Sequence, residues 1–444
     1  MRYALRLVAL IALIAGGAAP LLADESPVQG NYHFAAGYST ERSLTLQPAA
    51  DGMRLHWPDT TPARWDTALV AVLCQGAGPA PWVELSVGSA TIRQYLDPHA
   101  VGVRWLNLSA LHDELRSGSE LSLRTHDLVL APEVATLRLF DNHLDLRGTI
   151  LVIAPHPDDA EIAAFGLYAD RRATIVTLTS GNAGDMNYRA LISDPASHYL
   201  MKGYLRAVDS VTVPWQGGIP PERTYNLGYF DGLLDSMYKA PRQVFPEVYG
   251  PNTDIAPYRR ANLGTLLPKA SRQNSWNNLV EDLVTILRKV HPAIIVMPDP
   301  RLDHHADHQF TAVAVIEAMT RLRRSATFLL YTNHAGGDEF PYGPAGTVES
   351  LPPANATLTA QRVYSHPTDG ALQTRKLFAL ESMHDLRLSP TEQVSCAGSD
   401  GTQRPDYPRN PTVDYFRRAV RTNELFLVFN SAGMHALISG FLTH

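Results

Sequence analysis

The sequence predicts an α/β protein in which a Rossmann-like, doubly wound sheet of mostly parallel strands follows a small all-β sandwich domain. Residues 28–145 show short β-like stretches separated by Gly, Pro and Asp turns, which is typical of a sandwich. Over residues 147–444, apolar runs alternate with helical periodicity, as in a parallel sheet covered by helices. A chain of 444 residues is long enough for these two domains behind a targeting segment.

The N-terminus, residues 1–23, has the layout of a removable signal peptide. Two arginines precede an apolar run at 7–14, small residues follow, and we expect cleavage after Ala23. Two glycines and Pro20 interrupt the run well before the roughly 20 residues that a membrane span needs. An uncleaved anchor or a buried first helix is the alternative. We therefore expect an exported protein, in the bacterial periplasm or secreted, with no stable membrane span once the signal is removed.

Net charge and cysteine content restrict the possible binding partners, disulfide bonds and metal sites. The formal net charge is -6 and no run of Lys or Arg could track a phosphate backbone, so we expect no nucleic-acid partner. In an oxidising compartment Cys74 and Cys396 could form one bridge between the domains, or they could remain two lone buried thiols. Their spacing is not that of zinc ligands.

The predicted sandwich contains four tryptophans that could serve either of two purposes. Exposed aromatic side chains of a sandwich could bind carbohydrate, whereas buried ones would fill its core. We favour the core, because large aromatic side chains are buried more often than not. The four residues are Trp57, Trp65, Trp82 and Trp105.

In the α/β region, four nearly continuous apolar runs predict parallel strands that are buried on both faces. A helix is expected after Ser275, a plausible N-cap, because apolar residues recur there at spacings of three and four. Binding sites of such sheets lie at the carboxyl ends of the strands. The four runs are 148–154, 173–178, 293–297 and 327–331.

Two polar clusters stand at two of these strand ends. One follows the run 148–154 and begins a helix, and the other follows 293–297 and precedes a helical segment at 309–323. Alone, the first could be a capped helix start and the second a solvated loop. Together, at one edge of one sheet, they favour a metal site, since a borderline-soft divalent ion prefers imidazole and carboxylate ligands. The clusters contain His156, Asp158 and Asp159, and Asp303, His304, His305, Asp307 and His308.

These segments also carry a family resemblance. Ala-Pro-His-Pro-Asp-Asp-Ala-Glu at 154–161 and His-Ala-Asp-His at 305–308 resemble the paired signatures of the LmbE-like, or PIG-L, zinc-dependent de-N-acetylases. Weaker matches are Thr-Ser-Gly-Asn-Ala-Gly at 179–184 and Leu-Gly-Tyr-Phe-Asp-Gly at 227–232. The resemblance covers 147 to about 390 and leaves out the predicted sandwich.

Three stretches depart from the family pattern. The stretch 201–213, where the family usually shows an Arg and a Glu on a helix, matches poorly. The insertion 214–271 has no counterpart, and Asp385-Leu386 stands where Ser-Gln is common. These departures concern the substrate pocket more than the fold.

The resemblance implies that His156, Asp159 and His308 hold Zn2+, with Fe2+ as an alternative ion in the same site. The neighbours Asp303 and His304 could exchange roles with these residues. His334, at the end of the run 327–331, lies on the same edge of the sheet, and we favour a structural role for it.

The resemblance also implies the catalytic roles. Asp158 would be the general base, and His305 would stabilise the oxyanion, oriented and kept protonated by Asp307. Asp231 would contact a sugar hydroxyl, or it could belong to a simple Asp-Gly turn.

Compartment and resemblance together predict removal of the N-acetyl group from an N-acetylhexosamine of a cell-envelope glycan or glycolipid, such as lipopolysaccharide core, capsule or exopolysaccharide. The main alternative is a non-heme Fe(II) oxygenase, because His156-x-Asp158 with a distant His also spells a two-His, one-carboxylate triad. That chemistry is usual on a β-barrel strand rather than at the end of a parallel one. A catalytically inert carbohydrate-binding protein and a metal-dependent phosphoesterase are further alternatives, and the sequence does not determine the oligomeric state.

Overall fold

The computed structural model describes residues 32–98, 100–132, 134–267, 272–335, 340–354, 357–384, 386 and 415–443. The predicted signal peptide and Cys396 lie outside these residues, so cleavage and the Cys74–Cys396 bridge remain predictions. Cys74 itself is buried on a strand, and burial raises the pKa of its thiol to about 12.

The region up to Phe140 is built from strands, as predicted. Its side chains alternate between buried and partly exposed, as in the strand Trp82–Val87, where Val83, Leu85 and Val87 are buried. The strands are β1 (Tyr32–Phe34), β2 (Thr40–Ala49), β3 (Gly52–His56), β4 (Thr67–Gly76), β5 (Trp82–Val87), β6 (Ala90–Tyr95), β7 (Val101–Asn107), β8 (Glu120–His126), β9 (Leu128–Leu130) and β10 (Val134–Phe140).

Within the described residues, β2–β10 pair into one nine-stranded sheet of order β6-β5-β8-β3-β2-β10-β4-β7, with β9 on β4. The long strand β2 joins its two halves, because the first half of β2 pairs with β10 and the second with β3. Leucines and valines from both halves share one apolar core. Trp57 and Trp105 are buried, which confirms the core interpretation for these two, whereas Trp65 and Trp82 are partly exposed.

The rest of the described chain forms a doubly wound sheet. Strands β11–β15 run parallel, and the order reverses at β11, which has β12 and β13 on one side and β14 and β15 on the other. The final strands β18 and β17 extend the sheet antiparallel beyond β15. The strands are β11 (Ile150–Ala154), β12 (Ala173–Thr179), β13 (Thr224–Tyr229), β14 (Ile294–Pro298), β15 (Thr327–Tyr331), β16 (Leu358–Ala360), β17 (Arg362–Pro367) and β18 (Asn423–Asn430).

Helices lie between these strands. The helix predicted after Ser275 begins at Trp276, with Ser275 at the N-cap position as expected. The helix predicted from residue 309 begins earlier, at Ala306, because His305 caps it. The helices are α1 (Asp159–Tyr168), α2 (Pro195–Thr212), α3 (Leu234–Lys239), α4 (Ala256–Arg259), α5 (Trp276–Val290), α6 (Ala306–Leu322), α7 (Gly370–Ser382), α8 (Tyr415–Arg418) and α9 (Ser431–Phe441).

All four predicted strand runs are confirmed as β11, β12, β14 and β15, and the doubly wound fold class with them. The insertion 214–271 contributes a further parallel strand, β13, to the same sheet. Among the described residues, no helix has the length and apolar character needed to cross a bilayer.

The β-rich region packs against the edge of the doubly wound sheet. The Asn107 side chain donates to Ser365 Oγ at 3.0 Å, and the Asn142 side chain donates to the Val363 carbonyl at 2.8 Å. Strand β1 pairs with β16, so the N-terminal segment is joined to the α/β region. These contacts cover strand β17, which would otherwise be an open edge. That residues 28–145 and 147–444 are separate domains remains a prediction.

Candidate active site

The carboxyl ends of four parallel strands bring polar side chains to one edge of the sheet, as a doubly wound fold requires. Strand β11 leads into the start of α1, β13 into a turn before α3, β14 into the start of α6, and β15 into a short polar loop. In that order these segments contribute His156, Asp158 and Asp159; Asp231; Asp303, His305, Asp307 and His308; and Asn333 and His334.

Three donor atoms from the two predicted clusters form a nearly equilateral triangle. His156 Nδ1 lies 3.2 Å from His308 Nε2 and 3.3 Å from Asp159 Oδ2, and the latter two atoms are 3.2 Å apart. For a tetrahedral ion with bonds of about 2.0–2.1 Å, two ligand atoms are about 3.3–3.4 Å apart. The three side chains are buried. The distances between their donor atoms and the donor types, two imidazoles and one carboxylate, both fit a metal ion.

The second nitrogen of each imidazole faces a carboxylate. His308 Nδ1 lies 2.9 Å from Asp303 Oδ2, and His156 Nε2 lies 3.0 Å from Asp231 Oδ1 and 3.3 Å from Asp307 Oδ2. Such carboxylates fix the tautomer and orientation of a metal-binding imidazole. Asp303 therefore supports His308, which resolves the ambiguity between these neighbours in favour of His308 as the ligand candidate.

Asp159 is held by two hydrogen bonds besides its place in the triangle. The backbone N–H of His156 donates to its Oδ2 at 2.8 Å, and the side-chain amide of Asn333 donates to its Oδ1 at 2.7 Å. Burial alone would raise the pKa of Asp159, but the charge of His308 and the hydrogen bonds from both imidazoles hold it well below the usual range. Asp159 is thus an ionised ligand candidate.

The electrostatics of the triangle are those of a cation site. Burial alone would lower the pKa of His308, but Asp159 and Asp303 raise it to about 10. The pKa of His156 is likewise raised well above its ordinary value by Asp231 and Asp159, against burial.

Asp158 stands apart from the triangle and pairs with an arginine. It occupies the N-cap position of α1, and its Oδ2 lies 2.9 Å from Nη2 of Arg206 on α2. Burial raises the pKa of Asp158, Arg206 opposes that shift, and the charge of Asp159 adds to it. Asp158 is therefore a carboxylate beside the ion site rather than part of the triangle.

Arg206 was missed because the stretch 201–213 matches the family pattern poorly. The arginine expected in that stretch was the available signal, and the stretch contains Arg206. Gly181 makes room for it: its φ is +65°, and a Cβ there would lie 2.8 Å from the Arg206 guanidinium. This close approach explains the glycine of the Thr-Ser-Gly-Asn-Ala-Gly segment.

His305 caps helix α6 through its ring. Its Nδ1 accepts the backbone N–H of Asp307 at 3.2 Å, so in the neutral ring the proton is on Nε2. Burial and the charges of His156 and His308 lower the pKa of His305. The charge of Asp307 raises this pKa without offsetting the fall, and the backbone of Asp307 rather than its carboxylate contacts the ring, so these observations do not support the expectation that Asp307 keeps the ring protonated.

The Asp307 carboxylate holds the turn after β13 instead. It accepts the backbone N–H groups of Gly232 at 2.7 Å and Leu234 at 3.0 Å, and it also faces His156. Asp231, in the same turn, directs its carboxylate at His156, while its N–H donates to Asn182 Oδ1 at 3.0 Å. A sugar contact for Asp231 remains a prediction, and the structure gives its carboxylate a different partner.

Comparison with known proteins identifies the region that contains this site. The family described as PIG-L, GlcNAc-PI de-N-acetylase, matches residues 151–319, which include every donor of the triangle. Residues 151–319 are a PIG-L de-N-acetylase domain. This match supports the activity of a de-N-acetylase, a hydrolase, for the domain. No curated protein sequence matches the chain significantly.

Several solved structures are similar to part of this chain at low identity. A deacetylase of the teicoplanin biosynthetic pathway is 13% identical with a TM-score of 0.34, and the match covers 64% of this chain and 98% of that one. The deacetylase of the antimicrobial A40926 pseudoaglycone is 17% identical with a TM-score of 0.33, at the same coverages of 64% and 98%. The 4-carboxy-2-hydroxymuconate hydratase of Pseudomonas putida KT2440 is 10% identical with a TM-score of 0.31, covering 64% of this chain and 95% of that one.

Proposed function

We propose that this protein is an exported, zinc-dependent hydrolase that removes the N-acetyl group from an N-acetylhexosamine of a cell-envelope glycan or glycolipid. The observation that carries the proposal is the triangle of His156 Nδ1, Asp159 Oδ2 and His308 Nε2, with edges of 3.2–3.3 Å inside a PIG-L domain. Two imidazoles and one carboxylate that leave a position open are a donor set of catalytic zinc.

Zinc, when bound there, supplies a Lewis acid that polarises the acetyl carbonyl and lowers the pKa of the attacking water. Asp158 accepts the proton of that water, since it lies beside the triangle without belonging to it. Arg206 holds the carboxylate of Asp158 in place at 2.9 Å. Because burial raises its pKa, Asp158 is a better proton acceptor than an exposed aspartate, and it can return the proton to the departing amine.

His305 donates a hydrogen bond to the oxygen of the acetyl group as negative charge develops on it. The ring is neutral, with Nδ1 occupied by the Asp307 N–H and the proton on Nε2. A donor that is already oriented costs no reorganisation when the charge forms, which is the basis of oxyanion stabilisation. Acetate and a free amino sugar are the products.

The substrate class rests on the predicted export of the chain together with the PIG-L domain. An exported de-N-acetylase meets glycans of the cell envelope, so lipopolysaccharide core, capsule and exopolysaccharide are the candidates. The described part of the β-rich region presents two partly exposed tryptophans, Trp65 and Trp82. One face of Trp82 is covered by the Arg93 guanidinium at 4.2 Å, and the Trp65 ring lies 4.3 Å from the His112 ring, so each side chain already packs against one neighbour.

The test is acetate release from a panel of N-acetylated envelope glycans, with and without a chelator. Asp158→Ala should retain zinc and lose about 10²–10⁴-fold in rate, because it removes only the general base. His156→Ala, Asp159→Ala and His308→Ala should lose the metal itself. Asp113→Ala, an exposed aspartate of the β-rich region, is the control and should leave both unchanged.

The outcomes separate this function from its rivals. If Asp158→Ala strips the metal while Asp159→Ala keeps it, the two roles are reversed. Turnover that consumes oxygen would favour an Fe(II) oxygenase. Glycan binding by the zinc-loaded protein without acetate release would favour an inert carbohydrate-binding protein.

A further inference from the structure

His334 lies at the tip of β15, next to the strand that supplies His308. Its backbone is fixed to the same carboxylate as His308: Asp303 Oδ2 accepts the His334 N–H at 3.2 Å and the Asn333 N–H at 3.0 Å, and faces His308 Nδ1 at 2.9 Å. His334 is therefore tied to the metal triangle through one oxygen atom. Sequence reasoning had favoured a structural role for it.

The His334 ring faces the triangle. Its centroid is 4.8 Å from that of His308, and it stacks on Tyr415 at 6.0 Å with an interplanar angle of 15°. Tyr415 is itself anchored, because its hydroxyl donates to the Asn333 carbonyl at 2.7 Å. Whereas His308 is buried, His334 is exposed, so its ring stands on the solvent side of the site, where a substrate must enter.

The donor atoms of His334, His308 and Asp159 lie within 4.8 Å of one another. In a tetrahedral site the ligand atoms are about 3.3–3.4 Å apart. A movement of up to about 1.5 Å, within the reach of an exposed imidazole, therefore brings His334 to ligand spacing from Asp159 and His308.

We propose that His334 is a fourth protein donor to the metal ion, bound in the resting enzyme and withdrawn when the substrate or product occupies the open position. The inference rests on the metal site of the proposed function. It adds that this chain closes its own open coordination position with an imidazole from the next strand. Catalytic zinc sites can change between four and five ligands, so such an exchange is chemically accessible.

Zinc-edge X-ray absorption of the zinc-loaded protein tests the proposal directly, because imidazole ligands can be counted from it. The wild type should show three imidazoles, and His334→Ala two. His304→Ala is the matched control: this exposed histidine donates its backbone N–H to the His334 carbonyl at 2.9 Å, a bond that the substitution retains. His304→Ala should keep three imidazoles, and excess acetate should reduce the wild-type count to two.

Competition with a chromophoric chelator gives a second readout that does not need substrate. Loss of one ligand should weaken zinc binding by His334→Ala roughly tenfold or more, with no change for His304→Ala. Two imidazoles in the wild type would overturn the proposal. Three imidazole ligands in His334→Ala would also overturn the proposal. The third ring would then be that of His305, whose donor atom lies within 4.8 Å of those of His156 and His308. A wild type that binds no zinc would refute the proposed zinc site as well, so the two failures are distinguishable.

Discussion

Replacing Glu424 with Gln should cost about 3–5 kcal/mol of the free energy of unfolding and weaken metal binding, because Glu424 holds together a helix that is broken in the middle. Helix α1 carries Asp159 in its first turn, and Ala164 interrupts it with a non-helical φ of -143°. The break therefore leaves backbone N–H and C=O groups of the two halves without partners within the helix, and these groups need partners elsewhere in the protein.

A buried ion pair supplies those partners. Glu424 accepts the N–H groups of Gly166 at 2.8 Å and Leu167 at 2.9 Å, which begin the second half of α1. Lys376 on α7 donates to the Ile162 carbonyl of the first half at 2.7 Å and to Glu424 at 2.9 Å. The side chains of Lys376 and Glu424 are only 3% and 1% exposed, so solvent cannot replace either.

The size of the loss in the free energy of unfolding follows from the charge that each substitution leaves without a partner. In Glu424→Gln, Lys376 remains charged and buried without a counterion, the situation that costs about 3–5 kcal/mol in buried pairs. A typical protein has only about 5–15 kcal/mol in total, so the effect is large. Removing both charges in Lys376→Met/Glu424→Gln should recover about 1–3 kcal/mol relative to the sum of the single substitutions.

Urea unfolding measures the free energies, and chelator competition measures zinc affinity. Asp170→Asn is the matched control, because Asp170 pairs with Arg375, the neighbour of Lys376 on α7, at the exposed end of α1. An exposed pair contributes at most about 1 kcal/mol, and this variant should leave zinc affinity unchanged. A loss below about 1 kcal/mol for Glu424→Gln, or strict additivity in the double variant, would refute the reasoning.

Two further predictions concern buried carboxylates. Asp303 Oδ2 accepts the Asn333 and His334 N–H groups and faces His308 Nδ1, and Asp303 Oδ1 accepts the His305 N–H, so either orientation of an amide in Asp303→Asn turns a donor toward a donor. Zinc affinity measured with a competing chelator should fall about 10–100-fold, and unchanged affinity would contradict this. Burial raises the pKa of Glu349 from 4.5 to about 7, so the folded protein binds this proton more tightly than the unfolded chain does, and its contribution to stability falls as pH rises from about 4.5 to about 7. Glu349→Gln should therefore unfold like the wild type near pH 4 and be more stable by at most about 3 kcal/mol above pH 7, whereas parallel stability curves would rule this out.

The strands that the sequence predicts correctly are those whose pattern is set by residues within the strand itself. β11, β12, β14 and β15 are buried on both faces, so each reads as an unbroken apolar run. Strand β13 was missed because it contains Asn226 and Gly228, which are rare in strands. Its Asn226 side chain donates to the Thr179 carbonyl and to Ser210 Oγ, both at 3.0 Å, and no pattern within the strand reveals these distant partners.

The same distinction applies to the site. His156 and Asp159 belong to one short segment at a strand end, and His308 to another, so motif and topology together were enough to suggest them. Arg206 and Asn333 come from segments that are remote in sequence from both clusters. Arg206 acts on the site through its bond to Asp158, and Asn333 through its side-chain bonds to Asp159. Only the packing of α2 and of the loop after β15 reveals those bonds.

The buried carboxylates around the triangle determine how strongly protons compete with a metal ion for its imidazoles. Two of its imidazoles, His156 and His308, have raised pKa values because carboxylates surround them. A metal ion requires both nitrogens of the triangle to be deprotonated, so metal binding competes with protons at these two rings. Metal affinity therefore rises with pH as those protons become easier to remove. The carboxylates are Asp158, Asp159, Asp231, Asp303 and Asp307.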